Sequence, residues 1–197
     1  MRVSRAKAAE NRERVIKVAS RLFREHGFDG VGVDAIMAGA GLTHGGFYNS
    51  FDSKQTLAVE ACKHAMAESA KKWDATLNAA TDDPLGAWAG RYLSRDHCSN
   101  AGNGCVFAAL AADARWQGRA VKRVFAAGLR ASIERMMAVI PGRSLARKRE
   151  RALATLVTLV GAMVLARAVD DPTFSEEILK AASVSLSVQD ADRGRTN

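Results

Sequence analysis

Apolar residues recur every three to four positions along almost the whole chain, and prolines interrupt this pattern only at Pro84, Pro141 and Pro172. Such spacing places apolar side chains on one face of an α-helix, whereas a strand would need strict alternation. Alanine and leucine, which favour helices, are abundant between the interruptions. The pattern predicts an all-α fold of about nine helices. The first helix is expected to end at residue 26. The other eight are expected to span 33–40, 43–51, 53–77, 84–93, 105–116, 119–140, 145–169 and 174–188.

Two of the predicted helices are short and lie close together in the chain. An apolar stripe over 33–40 ends at Gly41, and Thr43 follows as the candidate N-cap of the next short helix. Two short helices joined by a glycine-containing turn, with a basic amphipathic helix before them, are typical of a helix-turn-helix. The sequence therefore predicts a DNA-binding motif, with a generic helical hairpin as the alternative.

The second of these short helices suits contact with DNA. A helix N-terminus carries free backbone N–H groups and the positive end of the helix dipole, which can hold a phosphate while side chains reach base edges. Gly45 and Gly46 each weaken a helix by about 1 kcal/mol relative to alanine, so two of them on so short an element require a reason. Close approach to the DNA backbone is one such reason.

Two consecutive segments resemble the DNA-binding signature of the TetR family of bacterial repressors. They are FREHGFDG at 23–30 and VGVDAIMAGAGLTHGGFYNSFDSKQTL at 31–57. The resemblance covers the first sixty residues, whereas the remainder is similar to the family only in helix number and length. It implies a helix-turn-helix DNA-binding domain of three helices at residues 1–52, and a C-terminal helical domain for ligand binding and dimerisation at 53–197.

The resemblance also assigns residues to DNA contact, position by position. Lys54 is expected to meet a phosphate, and Phe47 and Phe51 match core positions of the family. Gly32 stands where the family usually has a Ser or Thr helix cap, and Gly46 where it often has Thr or Ala. The residues expected to contact DNA are Thr43, His44, Gly45, Tyr48, Asn49 and Lys54.

The charge of the chain is unevenly distributed. The net charge is +8 and the pI is near 9.8. Residues 1–24 hold eight basic and two acidic side chains, and residues 115–151 hold eleven and two. This balance favours an anionic partner, here double-stranded DNA, although such runs more often form a solvated helix face.

The N-terminus lacks the apolar run that a secretory signal requires. The longest uncharged apolar stretch, at 152–166, is too short to cross a bilayer and is followed by Arg167, which favours a buried helix. We therefore expect a cytoplasmic protein that does not bind membranes. Its three cysteines are then expected to be reduced thiols.

Five residues in the C-terminal region are candidates for a small-molecule effector site. By resemblance to the family, their helices surround the effector cavity, and an aromatic and apolar lining suits such a site. The alternative is that these side chains are plain core. The candidates are Trp88, Tyr92, Cys105, Phe107 and Trp116.

The segment 92–113 resembles a region of one TetR subgroup, in which a Gly-Cys pair opens the sixth helix. Cys105 would then lie at a helix N-terminus, a location that permits a reactive thiolate, and Cys98 is close enough in the chain to form a disulfide with it under oxidation. A small buried residue at a tight helix start is the alternative. The number and spacing of possible ligands disfavour zinc, and the sequence predicts neither a metal nor a cofactor.

The last two predicted helices carry more apolar surface than a single stripe needs. One face is therefore expected to meet the chain's own bundle, and another to meet a partner. In the family these two helices build a four-helix dimer interface, which implies a homodimer. The candidate interface residues are Leu156, Val160, Val164, Ile178, Leu179 and Leu186.

These features predict a homodimeric transcriptional regulator, most simply a repressor that a small-molecule effector releases from its operator. One alternative is a thiol-based sensor of electrophiles or oxidants that acts through Cys105. A cysteine-dependent hydrolase with His97 as its base is a third hypothesis. It is disfavoured because Asp96, beside His97, is poorly spaced to orient that base. The chain is thus not expected to be an enzyme.

Overall fold

The computed structural model describes residues 4–80 and 82–194, and these residues form nine α-helices, two 3-10 turns and no strand. The predicted all-α fold is confirmed. The 3-10 turns lie at His44–Gly46 and Ala101–Asn103. The helices are α1 (Arg5–His26), α2 (Val33–Gly39), α3 (Lys54–Ala79), α4 (Pro84–Tyr92), α5 (Arg95–Ser99), α6 (Val106–Ala114), α7 (Arg119–Val139), α8 (Leu145–Ala168) and α9 (Pro172–Gly194).

The described residues contain the expected number of helices, but one helix differs from the prediction. The third predicted helix, at 43–51, is reduced to the 3-10 turn His44–Gly46. The additional helix is α5, which forms where no helix was predicted. The Ser94 hydroxyl oxygen caps it by accepting a hydrogen bond from the backbone N–H of His97 at 3.2 Å.

Several helix ends form as their residue types predict. Gly27 ends α1 with φ of 78°, and its N–H donates to the carbonyl of Phe23 at 2.8 Å. At the start of α4, the Asp83 carboxylate accepts from the N–H of Gly86 at 2.8 Å, and Pro84 occupies the first helical position. Side-chain caps and a left-handed glycine therefore set these boundaries.

The chain divides into two compact units. The first contains the residues up to Glu68 together with Ala101–Gly128, and the second contains Ser69–Asn100 together with the residues from Leu129 onward. Each unit holds part of α3 and part of α7. The domain boundary at residue 52 that the resemblance implies stays a prediction.

The core of the first unit forms around the inner face of α1. Val15, Ala19 and Phe23 are almost completely buried there, and Ile36 of α2 and Leu57 of α3 are fully buried. Full burial of a large apolar side chain contributes about 1.5–3 kcal/mol. These contacts hold the three helices together.

The segment 101–128 attaches to α1 in the same unit. The Arg24 guanidinium donates to the carbonyl of Gly104 at 3.0 Å and to that of Ser20, also at 3.0 Å. Burial lowers the pKa of Arg24. A side chain at Gly102 would collide with Glu25, because its Cβ would lie 2.2 Å from a carboxylate oxygen. A larger residue here would therefore have to displace the Glu25 side chain.

The second unit is built on α8 and α9 with α4, α5 and the end of α7. Leu159 and Met163 of α8 and Met136 of α7 are fully buried. Arg167 of α8 donates to the carbonyl oxygens of His97 at 2.6 Å and Cys98 at 2.9 Å, which fastens the end of α5 to α8. This arginine satisfies helix-terminal carbonyls that the five residues of α5 cannot satisfy alone.

By length and composition, α8 could cross a membrane, because the uncharged run at 152–166 is part of a helix of 24 residues. The expectation that it is too short was based on the uncharged run alone. The core helix of a soluble protein can have the same length and composition, and α8 buries seven side chains within its unit. They are Ala152, Thr155, Leu156, Leu159, Ala162, Met163 and Ala166.

Candidate nucleic-acid interface

The turn after α2 is fixed by a glycine and by an arginine of another helix. Gly41 has φ of +67°, a left-handed conformation that side chains rarely adopt. Arg14 of α1 donates from Nη1 to the carbonyl oxygen of Ala40 at 3.2 Å and from Nη2 to the Glu10 carboxylate at 3.1 Å. The turn geometry therefore depends on α1 as well as on its own residues.

The element after this turn is shorter than predicted. Thr43 is extended, with φ of −85° and ψ of 152°, as an N-cap residue should be, but its side chain makes no capping hydrogen bond. Only His44–Gly46 forms a 3-10 helix, and hydrogen-bonded turns follow, with the N–H of Ser50 donating to the carbonyl of Phe47 at 2.9 Å. The predicted helix and its side-chain cap are therefore wrong, and the pair Gly45–Gly46 supplies the physical reason.

The residues expected to contact DNA come together on this element. Five of the six are exposed, namely Thr43, His44, Gly45, Tyr48 and Asn49, and Tyr48 is 66% exposed. Their neighbour Phe47 is only 1% exposed. The element thus presents polar groups on one side and an aromatic anchor on the other. We call residues 43–49 the recognition segment.

The anchor of the recognition segment is an aromatic cluster. The rings of Phe47 and Phe51 stack with centroids 5.6 Å apart, and the Tyr48 ring lies edge-on to Phe47 at 5.2 Å. The guanidinium of Arg12 lies 4.9 Å from the centre of the Phe51 ring and forms an ion pair with Glu60 of α3. Both phenylalanines are buried, as the resemblance implies.

Lys54, the sixth residue, is half-buried at the start of α3. The Ser53 hydroxyl oxygen caps this helix by accepting from the N–H of Thr56 at 3.1 Å. A lysine here adds its ammonium charge to the positive end of the helix dipole. This position suits a phosphate contact.

One charged residue beside the recognition segment is identified only by the structure. Asp34 of α2 forms an ion-pair contact with His44, in which a carboxylate oxygen meets Nδ1. The helix dipole is sufficient to explain an acidic residue in the first turn of a helix. The type and position of Asp34 therefore do not indicate its contact with His44.

Most of the charge on α1 is used within the chain. Several of its cations pair with carboxylates, so this basic run matches a solvated helix face better than a continuous DNA-binding surface. The pairs are Lys7–Glu10, Arg14–Glu10, Arg21–Glu25 and Arg12–Glu60.

Comparison with known proteins identifies the motif. Residues 15–61 match the family described as bacterial regulatory proteins, tetR family. This part of the chain is a TetR-family DNA-binding region. YerO, an uncharacterized HTH-type transcriptional regulator from Bacillus subtilis strain 168, is 36% identical over 63 residues, which are 32% of this chain and 22% of YerO. The match therefore spans about a fifth of the length of that relative.

Solved structures are similar over nearly the whole fold. A TetR-family regulator from Cytophaga hutchinsonii aligns with a TM-score of 0.79 and 16% identity, over 95% of this chain and 97% of that one. The reduced form of E. coli NemR aligns with a TM-score of 0.76 and 20% identity, over 90% and 95% of the two chains. At these identities the likeness concerns the fold. The family matched at residues 15–61 is one of regulatory proteins, so this match gives no support to a hydrolase.

The candidate effector residues fall in both units. In the second unit, the rings of Trp73, Trp88 and Tyr92 follow one another with centroid distances of 3.9 and 5.0 Å. In the first unit, Phe107 is buried and meets Phe125 edge-on at 5.9 Å. A single cavity shared by the candidate set stays a prediction.

Trp116 does not match its predicted role. Its side chain is 75% exposed, and the Arg115 guanidinium lies 4.3 Å from the centre of its ring. It therefore lies on the surface of the first unit, which argues against a place in the lining of an enclosed cavity. A periodic pattern identifies an aromatic residue on a helix, but Trp116 falls in the turn after α6, where no helix face constrains it.

The three cysteines are thiols in different environments. Cys62 is buried, and burial raises its pKa to about 12. Cys105 is half-buried at the N-cap position of α6, as predicted, whereas Cys98 lies in the second unit, with its Sγ 3.8 Å from the Ser175 hydroxyl. The disulfide between Cys98 and Cys105 stays a prediction.

The described residues contain no group of three or more His, Cys, Asp or Glu side chains that could hold a metal ion. His97, which the hydrolase hypothesis takes as the base, contacts a backbone carbonyl group instead. Its Nδ1 lies 2.6 Å from the carbonyl oxygen of Tyr92, and burial lowers its pKa.

The candidate interface residues separate into core and surface. Leu156 and Leu179 are each 6% exposed, so both belong to the core of the second unit, and the expectation that they face a partner is corrected. Val160, Ile178 and Leu186 are half-buried, and Val164 is 43% exposed. Other large apolar side chains of α8 and α9 are exposed, and we refer to them together as the α8/α9 face; they include Leu153, Val157, Val164, Leu165 and Val184.

Proposed function

We propose that this chain is a sequence-specific DNA-binding transcriptional regulator, most simply a repressor. The observation that carries the proposal is the exposed recognition segment on its buried aromatic anchor. Its hydroxyl, imidazole and amide groups can exchange hydrogen bonds with base edges and phosphates, while Phe47 and Phe51 fix its position. The operator lies in the cytoplasm, which is where we place the protein.

A homodimer is part of this proposal. One recognition segment reads only a few base pairs, and dimeric helix-turn-helix proteins read two half-sites about 34–36 Å apart. The α8/α9 face supports dimerisation, because exposed large apolar side chains concentrated on two helices suit an association surface. Val157, 69% exposed, is its most accessible valine.

Release by a small molecule completes the mechanism. A ligand changes operator affinity only if it binds one arrangement of the two recognition segments better than another. The aromatic series of Trp88 and Tyr92 supports a ligand with apolar rings. In this mechanism, the favoured arrangement no longer matches adjacent major grooves.

The test is selection of duplexes from a random pool by the purified full chain. We expect an enriched inverted repeat, lost in Tyr48→Ala and Asn49→Ala and retained in Arg143→Ala. Arg143 is an exposed control cation outside the helices. If no sequence is enriched over the input pool, the proposal is wrong.

A thiol-based sensor with the same DNA output is the second candidate function. The observation that favours it is the position of Arg24, which donates to Gly104, the residue before Cys105, at 3.0 Å. A partly exposed thiol at a helix start beside a guanidinium is a typical environment for a reactive cysteine.

The two candidates differ in how Cys105→Ser behaves. For a thiol sensor, N-ethylmaleimide releases the selected operator from the wild-type protein and from Cys98→Ser, but not from Cys105→Ser. Release from Cys105→Ser at the same reagent concentration would eliminate the thiol mechanism at this residue. It would leave the non-covalent mechanism intact.

A further inference from the structure

The imidazole of His44 is held on two sides within the first unit. Its Nδ1 meets the Asp34 carboxylate, and its ring lies edge-on to Tyr48 with centroids 6.1 Å apart. Tyr48 in turn packs against the buried ring of Phe47. Among the described residues, no hydrogen bond to His44 Nε2 is found, and the side chain is 53% exposed. Nε2 is therefore the polar atom of this ring that remains for DNA.

The contact with Asp34 determines which nitrogen carries the proton. An ionised carboxylate only accepts hydrogen bonds, so Nδ1 must donate. In a neutral imidazole with Nδ1 protonated, Nε2 is an acceptor. In the major groove, the donors available to an acceptor are the N6 amino group of adenine and the N4 amino group of cytosine. Guanine and thymine present no hydrogen-bond donor there.

We propose that Asp34 is a positioning residue that sets the base specificity of His44. Asp34 keeps the proton on Nδ1, so that Nε2 accepts from the amino group of an adenine or a cytosine. This inference rests on the proposed function, because it assumes that the recognition segment enters the major groove. It adds a residue outside that segment to the specificity-determining set.

The position of Asp34 does not depend on His44. Asp34 lies in the first turn of α2, where the helix dipole favours a carboxylate, and its side chain is 83% exposed. An exposed ion pair of this kind contributes little to stability. Removing Asp34 should therefore change the tautomer of His44 and leave the fold in place.

The first test reads the tautomer directly in the full chain without DNA. Side-chain ¹⁵N spectra at pH 8, above the range in which histidines ordinarily titrate, report which ring nitrogen is protonated. The signal of His44 among the four histidines is assigned by its loss in His44→Gln. We expect Nδ1 protonated in the wild type and a mixture of tautomers in Asp34→Ala. Nε2 protonated in the wild type would overturn the proposal.

The second test reads base preference. The position that His44 contacts is identified as the base pair at which His44→Ala loses its preference. There we expect the wild type to prefer an adenine or a cytosine on the contacted strand by about tenfold. In Asp34→Ala the preference at that pair should fall below about threefold, while the other positions of the operator keep theirs. Asp29→Ala removes another exposed carboxylate of the same unit and should behave as the wild type.

Failure of this inference is distinguishable from failure of the proposed function. If the wild type enriches no sequence, the proposed function fails. If it enriches an operator and Asp34→Ala keeps the wild-type base preference, only the role of Asp34 is wrong. A uniform loss of preference at every position in Asp34→Ala would also overturn that role, because it would indicate a structural effect.

Discussion

Arg14 of α1 donates from Nη1 to the carbonyl oxygen of Ala40 at 3.2 Å, so a side chain of one helix satisfies the end of the next. The last carbonyl groups of a helix lack partners within that helix and need such a donor. The link joins α1 to the turn that precedes the recognition segment. It couples the stability of α1 to the geometry of the candidate DNA interface.

Removing this link should weaken the first unit. For Arg14→Ala we expect a loss of about 1–2 kcal/mol in the free energy of unfolding, because a hydrogen bond from a charged donor is lost. Urea unfolding measures the effect. Arg21→Ala is the control, since it removes an exposed pair with Glu25 on the same helix and should cost less than about 0.5 kcal/mol. Equal losses in the two variants would contradict the capping role.

Lys54 should act on DNA affinity through charge alone. For Lys54→Ala we expect weaker binding to all sequences, and the slope of log affinity against log salt should decrease by about one. Fluorescence anisotropy at several salt concentrations measures the slope. Lys63→Ala, on an exposed position of the same helix, should keep the wild-type slope. A changed base preference with an unchanged slope would refute the phosphate contact.

Substitutions on α8 and α9 should separate dimerisation from folding. Val157→Glu places a carboxylate on the exposed α8/α9 face, so we expect a folded monomer that loses operator binding. Leu179→Glu places the same charge in the core, so we expect the second unit to lose its cooperative unfolding transition. Sedimentation and circular dichroism distinguish these results. A wild-type mass of 21.1 kDa at micromolar concentration would exclude the dimer.

His97 should make the second unit less stable at acid pH. Burial lowers the pKa of His97, so the unfolded chain binds a proton at a higher pH than the folded protein does. Stability is therefore full above the unfolded pKa and falls as the pH decreases through it, by at most about 1.4 kcal/mol per pH unit. Thermal unfolding between pH 8 and pH 5 should show the wild type losing stability relative to His97→Gln. Parallel curves for the two proteins would rule out this role of His97.

Cys62 should resist modification in the folded protein. Burial raises its pKa to about 12, so very little thiolate is present at pH 8. Treatment with iodoacetamide followed by mass spectrometry should show modification of the half-buried Cys98 or Cys105 before Cys62. In denaturant all three should react. Early modification of Cys62 in the folded chain would contradict its burial.

Local sequence signals located most of the helices and the candidate interface. The left-handed stop at Gly27 and the caps at Ser53 and Asp83 depend on residues near each end, so they could be predicted from the chain alone. The recognition segment was also located in this way. Its helical length is shorter than the motif predicts, because Gly45 and Gly46 disfavour a helix here.

The contacts between distant residues required the folded chain. Asp34 pairs with His44, and Arg14 caps the carbonyl of Ala40. Each pair joins residues of separate elements, and the type of one residue does not indicate which residue it will meet. Leu156 and Leu179 are buried whereas Val157 is exposed, although all three are apolar residues on helices with apolar stripes. The sequence by itself determined the helical class, the resemblance of the N-terminal region to the TetR family and the position of the recognition segment, because local backbone preferences and a short motif specify them. Tertiary structure decided which side chains are core, surface or partners, because burial depends on what packs against each face.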